Sequence, residues 1–130
     1  MIKEDYLMRQ LSDFLEALSR LLSDNQGNLE RKVETFYKTF TKFDNDFYKD
    51  NDIEYILTTL KSTTNENEFR IKIEILAELF YQDAMHCISM NKKKNLLHKS
   101  LILWQLIENE SKTYSFERID RINTIKNYCK

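Results

Sequence analysis

The chain contains no proline and a single glycine, Gly27, in 130 residues. Proline and glycine stop helices, shape hairpin turns and let the backbone approach a ligand closely. A chain without them has little from which to build β-hairpins, whereas helices joined by short polar links need only capping side chains. The same scarcity removes whole classes of function. Phosphate-cradling loops, dinucleotide-binding turns and nucleophile elbows all place glycine where φ is positive or backbone must approach a ligand. None of these can be assembled here.

Hydrophobic residues make up 42% of the chain and charged residues 32%, which is the balance of a folded globular chain. Its length suits one domain, 1–130, with a real core. No run approaches the roughly 18–20 apolar residues of a bilayer span, so no membrane partner is expected. The opening "MIKEDYLMRQ" has no uninterrupted apolar stretch, so no signal peptide is expected. Lys and Arg total 20 against 21 Asp and Glu, a balance that offers no electrostatic reason to bind nucleic acid or anionic lipid. Cys87 and Cys129 do not form a disulfide framework, and a reducing cytoplasm is the expected location.

Apolar spacing predicts about six helices in a single all-α bundle. The first runs from about Lys3 to Ser23, with Leu7, Leu11, Phe14, Leu18 and Leu21 on one face and Glu16 and Arg20 spaced to pair on the other. Gly27 can supply a left-handed residue in the link "SDNQGN". The second helix, about Asn28 to Phe43, carries an aromatic stripe that reads as core. Asp52 caps a third helix beginning at Ile53, and Asn65 caps a fourth that extends to about Met90. "NKKKN", Asn91 to Asn95, reads as the solvated turn of a helical hairpin leading into a fifth helix, about Leu96 to Glu110. Ser115 caps the sixth, which carries Phe116, Ile119, Ile122 and Ile125.

The fourth and fifth helices are apolar on two sides. Beyond their main stripes, Ile71, Ile75 and Leu79 on one and Ile102 and Leu106 on the other form a second face. A helix apolar on two faces is either sandwiched by neighbours or buried by another subunit. Six short helices can wrap a central pair only partly. Ile71, Ile75, Leu79, Ile102 and Leu106 are therefore the expected interaction surface, for a homodimer or a protein partner.

No chemistry emerges as convincingly. "FDNDFYKDNDIE", Phe43 to Glu54, is rich in carboxylates, but a calcium loop starting at Asp44 would place Lys49 at its glycine position and Tyr55 at its bidentate glutamate position. It reads as a polar corner. Asp83, His86, Cys87 and His98 are the candidate zinc ligands, since a hairpin about "NKKKN" would bring His98 back toward Asp83 and His86. Against this, Cys87 continues an apolar stripe through Phe80 and Ala84, as a small hydrophobe would. Glu74 and Glu78 lie at i,i+4, but a diiron bundle wants Glu-x-x-His on two helices, and only Asp83-x-x-His86 approximates one. Surface pairing with Lys72 or Gln82 is their ordinary reading. His86 and Cys87 are adjacent, about 100° apart on a helix, with no orienting acid. No cofactor and no catalytic constellation is expected.

The opening "MIKEDYLMRQ" and the stretch from "EILAELFYQDA" through "SLILWQLIENESKTYSFERIDRI" resemble a family of small, helical bacterial proteins of unknown function. The most specific element is "SFERIDRI" following a W-x-L-I-E helix. The resemblance implies an all-α fold and a cytoplasmic bacterial setting, with no activity to transfer. The pair from about Ile75 to Glu108 also resembles a degenerate tetratricopeptide unit, with Ala84 at the close-contact position and Leu97, Leu101 and Trp104 on its second helix. The 34-residue period and the usual proline of that family are missing. The leading expectation is a non-catalytic protein–protein interaction or self-associating scaffold module. The alternative is a small-ligand or metal-dependent sensor or enzyme using Asp83, His86 and His98. A basic surface of Lys92, Lys93, Lys94 and Lys99 for nucleic acid is weaker, because it lacks interleaved aromatics or arginines.

Overall fold

The computed structural model describes residues 2–24 and 27–129, with side chains from residue 6 onward. Among the described residues the chain is all-helical, with seven helices: α1 (Ile2–Ser23), α2 (Leu29–Phe40), α3 (Asn45–Asp50), α4 (Ile53–Thr63), α5 (Glu66–Met85), α6 (Met90–Glu110) and α7 (Phe116–Tyr128). Asn25 and Gln26 of the first link lie outside the described residues; Gly27 beside them takes φ +83°.

Side-chain caps set most of the boundaries. Asp52 Oδ1 accepts from the Tyr55 amide at 2.8 Å, Asn65 Oδ1 from Glu68 at 2.8 Å and Ser115 Oγ from Arg118 at 3.2 Å. These are the expected caps. Two more were not anticipated. Asp44 caps α3 through the Phe47 amide, and Ser89 caps α6 through the Lys92 amide.

Both additions move a boundary. The acidic corner holds a short helix, because Asp44 starts a turn that drives Phe47 and Tyr48 inward; Phe43 stacks on Phe47 at 4.2 Å and Tyr48 is fully buried. The second predicted helix accordingly ends at Phe40 rather than Phe43. The hairpin turn is not "NKKKN" but the short segment between Met85 and Met90. Ser89 begins α6 early, so Asn91–Asn95 form its first turns, and Lys92 is part-buried rather than solvated.

α5 and α6 pack along each other at the centre, with α1, α2 and α4 laid on α5, and α7 on α6. Ser100 Oγ donates to the Ala77 carbonyl at 2.7 Å across the central pair. α5 is sandwiched within the chain: Ile73, Leu76, Phe80 and Ala84 are buried, and so are Ile75 and Leu79 on its other side. Two lysines serve the helix ends from inside. Lys72 Nζ donates to the Phe40 carbonyl at the end of α2 (3.0 Å), and Lys99 Nζ to the Tyr48 carbonyl near the end of α3 (2.8 Å). Burial holds both ammonium groups below their ordinary pKa.

Candidate functional site

The four candidate metal ligands do not assemble. Asp83 is fully buried and turned toward α2 and α3; His98 is exposed on α6. His86 Nδ1 lies 2.8 Å from the Gln82 carbonyl, and Cys87 Sγ donates to the Ser89 carbonyl at 3.2 Å. Among the described residues, no three His, Cys, Asp or Glu side chains come together as a metal-holding group. The hairpin geometry that would have returned His98 to Asp83 rested on a turn at Asn91–Asn95, and the turn lies earlier in the chain.

Asp83 instead anchors an ion network. The Tyr37 hydroxyl donates to Asp83 Oδ2 at 2.8 Å, and Lys49 Nζ lies 3.1 Å from the same oxygen. Lys49 also pairs with Glu34, and Lys92 bridges Glu34 (3.3 Å) and Glu30 (3.5 Å). Burial raises the Asp83 carboxyl above its ordinary value despite Lys49 and Tyr37. Burial also pushes Glu34 up, but Lys49 and Lys92 outweigh it and hold the carboxyl below its ordinary value. The Tyr37 hydroxyl is raised well above its usual value, by burial first and then by Asp83. The network joins α2, α3, α5 and α6 and has the character of a structural clamp, with each carboxylate held by a cation.

The second apolar face divides into two parts. Ile75 and Leu79 are fully buried inside the chain, so they are not available as an interaction surface. α1, α2 and α4 pack on α5 in addition to α6, and both residues are fully buried, which corrects the expectation that too few helices were present. Ile71, Ile102 and Leu106 stay half-buried. Ile71 and Leu106 border depressions that meet at Glu74.

Glu74 lines three adjoining hollows on one side of the bundle. The first lies between α1 and α5, with Leu7, Met8 and Ile71. The second, about 300 Å³, lies between α1 and α7 with Leu11, Leu15 and Trp104. The third lies beside the end of α6, with Leu106, Thr113 and Arg118. Together they make a groove walled by α1 and α7 and floored by α5 and α6. Met8 (56% exposed) and Leu15 (48%) rim it along α1.

The groove's charges are unequally satisfied. Arg121 forms a two-pronged pair with Glu78 (3.1 and 2.9 Å) and stacks 3.9 Å over the Tyr81 ring. Arg118 donates to Glu108 at 2.6 Å and to the Thr113 carbonyl at 2.7 Å. Glu74 has no hydrogen bond or ion pair to any described residue. Burial raises its carboxyl above the ordinary value, and Arg118 and Arg70 only partly offset this from a distance. The Trp104 Nε1–H, in the floor, likewise finds no acceptor among the described residues.

Sequence reasoning passed over Glu74 as a surface acid beside Glu78. The i,i+4 spacing was legible, but the groove exists only where α1 and α7 leave α5 uncovered. The chain matches no family model, no curated protein and no solved structure.

Proposed function

We propose that this chain is a non-catalytic interaction module whose α1–α7 groove receives an amphipathic helix carrying a basic residue. The observation that carries the reading is Glu74: a half-buried carboxylate, without a contact partner among the described residues, in a groove rimmed by Met8 and Leu15. Holding a carboxylate in partial burial is unfavourable unless something compensates it. A lysine or arginine from a partner would supply that compensation, while apolar side chains at i, i+3 and i+4 of the same helix would cover Met8, Leu11 and Leu15. The charge balance agrees. Once Glu78–Arg121 and Glu108–Arg118 are paired, Glu74, Glu110 and Glu117 face Arg70 alone around the groove.

In this reading α5 and α6 with α7 act as one degenerate tetratricopeptide-like unit, presenting the groove within a bacterial cytoplasm. The alternative of a metal-dependent sensor at Asp83, His86 and His98 has no geometry in its favour.

Site-specific photocrosslinking tests the proposal without knowing the partner. A photoreactive residue at Leu15, in the groove rim, should capture a discrete adduct in the native host. The same group at Asp13, an exposed position away from the rim, should not. Glu74→Lys should abolish the Leu15 adduct by charge reversal. Equal capture from both positions, or capture indifferent to Glu74→Lys, would overturn the proposal. An adduct made of two copies of this chain would identify the partner helix as the chain's own and make the module self-associating.

A further inference from the structure

At the other end of α6, roughly 30 Å from the Glu110 end of the groove by helical rise, the surface has a different character. The α5–α6 turn carries Ile88 at its tip, 91% exposed, followed by Met90 at 63%. At this exposure the chain leaves Ile88 almost wholly uncovered and Met90 largely so. Ile88 projects from the edge of an open hollow that it shares with Leu29, Glu30, Arg31 and Glu34. Lys93 and Lys94 lie one turn further along α6, on the same side as Met90 by the i,i+3 and i,i+4 rule. Lys93 Nζ stands 5.0 Å from the ring of Tyr128, itself half exposed at the end of α7, and Lys126 is exposed one residue beyond Ile125. None of Lys93, Lys94 and Lys126 forms an ion pair with a described residue. The nearby acids, Glu30 and Glu34, are already held by Lys92 and Lys49.

We infer that this end of the molecule docks on an anionic lipid surface, with Ile88 and Met90 entering the interface and Lys93, Lys94 and Lys126 on the headgroups. The overall charge of −1 is an average that conceals a basic, apolar tip. An acidic protein would pair with the lysines, but it would need a pocket shaped for a projecting isoleucine. A bilayer interface needs none, accepts aliphatic groups at its acyl boundary, and favours a tyrosine at headgroup level. The contact would be peripheral, since among the described residues no helix is long and apolar enough to cross a membrane. Docking by this end would leave the Glu74 groove facing away from the lipid, and the inference does not depend on what fills that groove.

Co-sedimentation with vesicles tests it. Wild type should sediment with phosphatidylserine–phosphatidylcholine vesicles, remain free of pure phosphatidylcholine, and be released by salt. Ile88→Ser with Met90→Ser should weaken binding roughly ten-fold or more, from lost apolar burial. Lys93→Gln with Lys94→Gln should weaken it roughly five-fold per lysine. All four positions lie outside the core, so circular dichroism should be unchanged. Absence of binding to the anionic vesicles would overturn the inference. So would loss with the lysine pair but not the apolar pair, accompanied by equal retention on polyglutamate or single-stranded DNA. That pattern would assign the tip to a soluble polyanion.

Discussion

Asp83 and Glu74 are acids on the same helix, and burial raises the pKa of both, yet their surroundings differ in kind. Asp83 is enclosed, with a tyrosine hydroxyl and the Lys49 ammonium on Oδ2, Glu34 sharing that ammonium, and Oδ1 without a partner among the described residues. Glu74 is only half enclosed and has no described contact partner, with a groove in front of it. A buried acid whose partners are internal ties helices to one another even where, as at Asp83, burial disfavours its charged form. A partly buried acid whose partners are missing is a disadvantage to the isolated fold, and such disadvantages mark places where something else binds.

The largest effect should come from opening the Asp83 side. Lys49→Met leaves Asp83 buried without its cation, which should destabilise the fold by about 3–5 kcal/mol in urea denaturation. Adding Asp83→Asn to that variant should recover a large part of the loss, because the stranded charge disappears. If the double variant were as unstable as the single one, Lys49 would act through its contacts with Glu34 and not through Asp83.

A smaller effect should appear on acidification. Glu34 has a lowered folded pKa, so its contribution is present above the unfolded value and is lost as pH falls through the folded one. Asp83 has the opposite sign. Its raised folded pKa makes it unfavourable at neutral pH, and that penalty is relieved as pH falls through the folded value. Asp83→Asn removes the relief, so stability measured between neutral pH and the carboxylate range should fall more steeply than in wild type. A slope equal to or shallower than wild type would mean that Asp83 is well compensated when ionised.

The contrast between the two acids was only partly visible in the residues. The helices were legible because apolar spacing is local, and so were the caps at Asp52, Asn65 and Ser115, where a side chain bonds an amide three residues on. α3 escaped because six residues are too few for a helical period, and its carboxylates disguised Phe47 and Tyr48 as part of a polar corner. The hairpin was misplaced because three consecutive lysines resemble a turn, whereas the boundary is set by the Ser89 hydroxyl. The Asp83–Lys49 pair joins residues far apart in the chain, with no local signature to announce it. Ile75 and Leu79 looked surplus to a monomer until the helices flanking α5 were in place.

Glu74 provides the most direct measurement, because it requires no partner. If Asp83 belongs to the scaffold and Glu74 is held ready for a ligand, Glu74→Gln should not weaken the isolated chain. It replaces a partly buried charge, only partly offset by Arg118 and Arg70, with a neutral group of the same shape. Urea denaturation at pH 7 should show a stability equal to wild type or higher, by less than about 2 kcal/mol. A loss of more than about 1 kcal/mol would show that the fold itself depends on the Glu74 carboxylate, and would contradict its assignment to a binding groove.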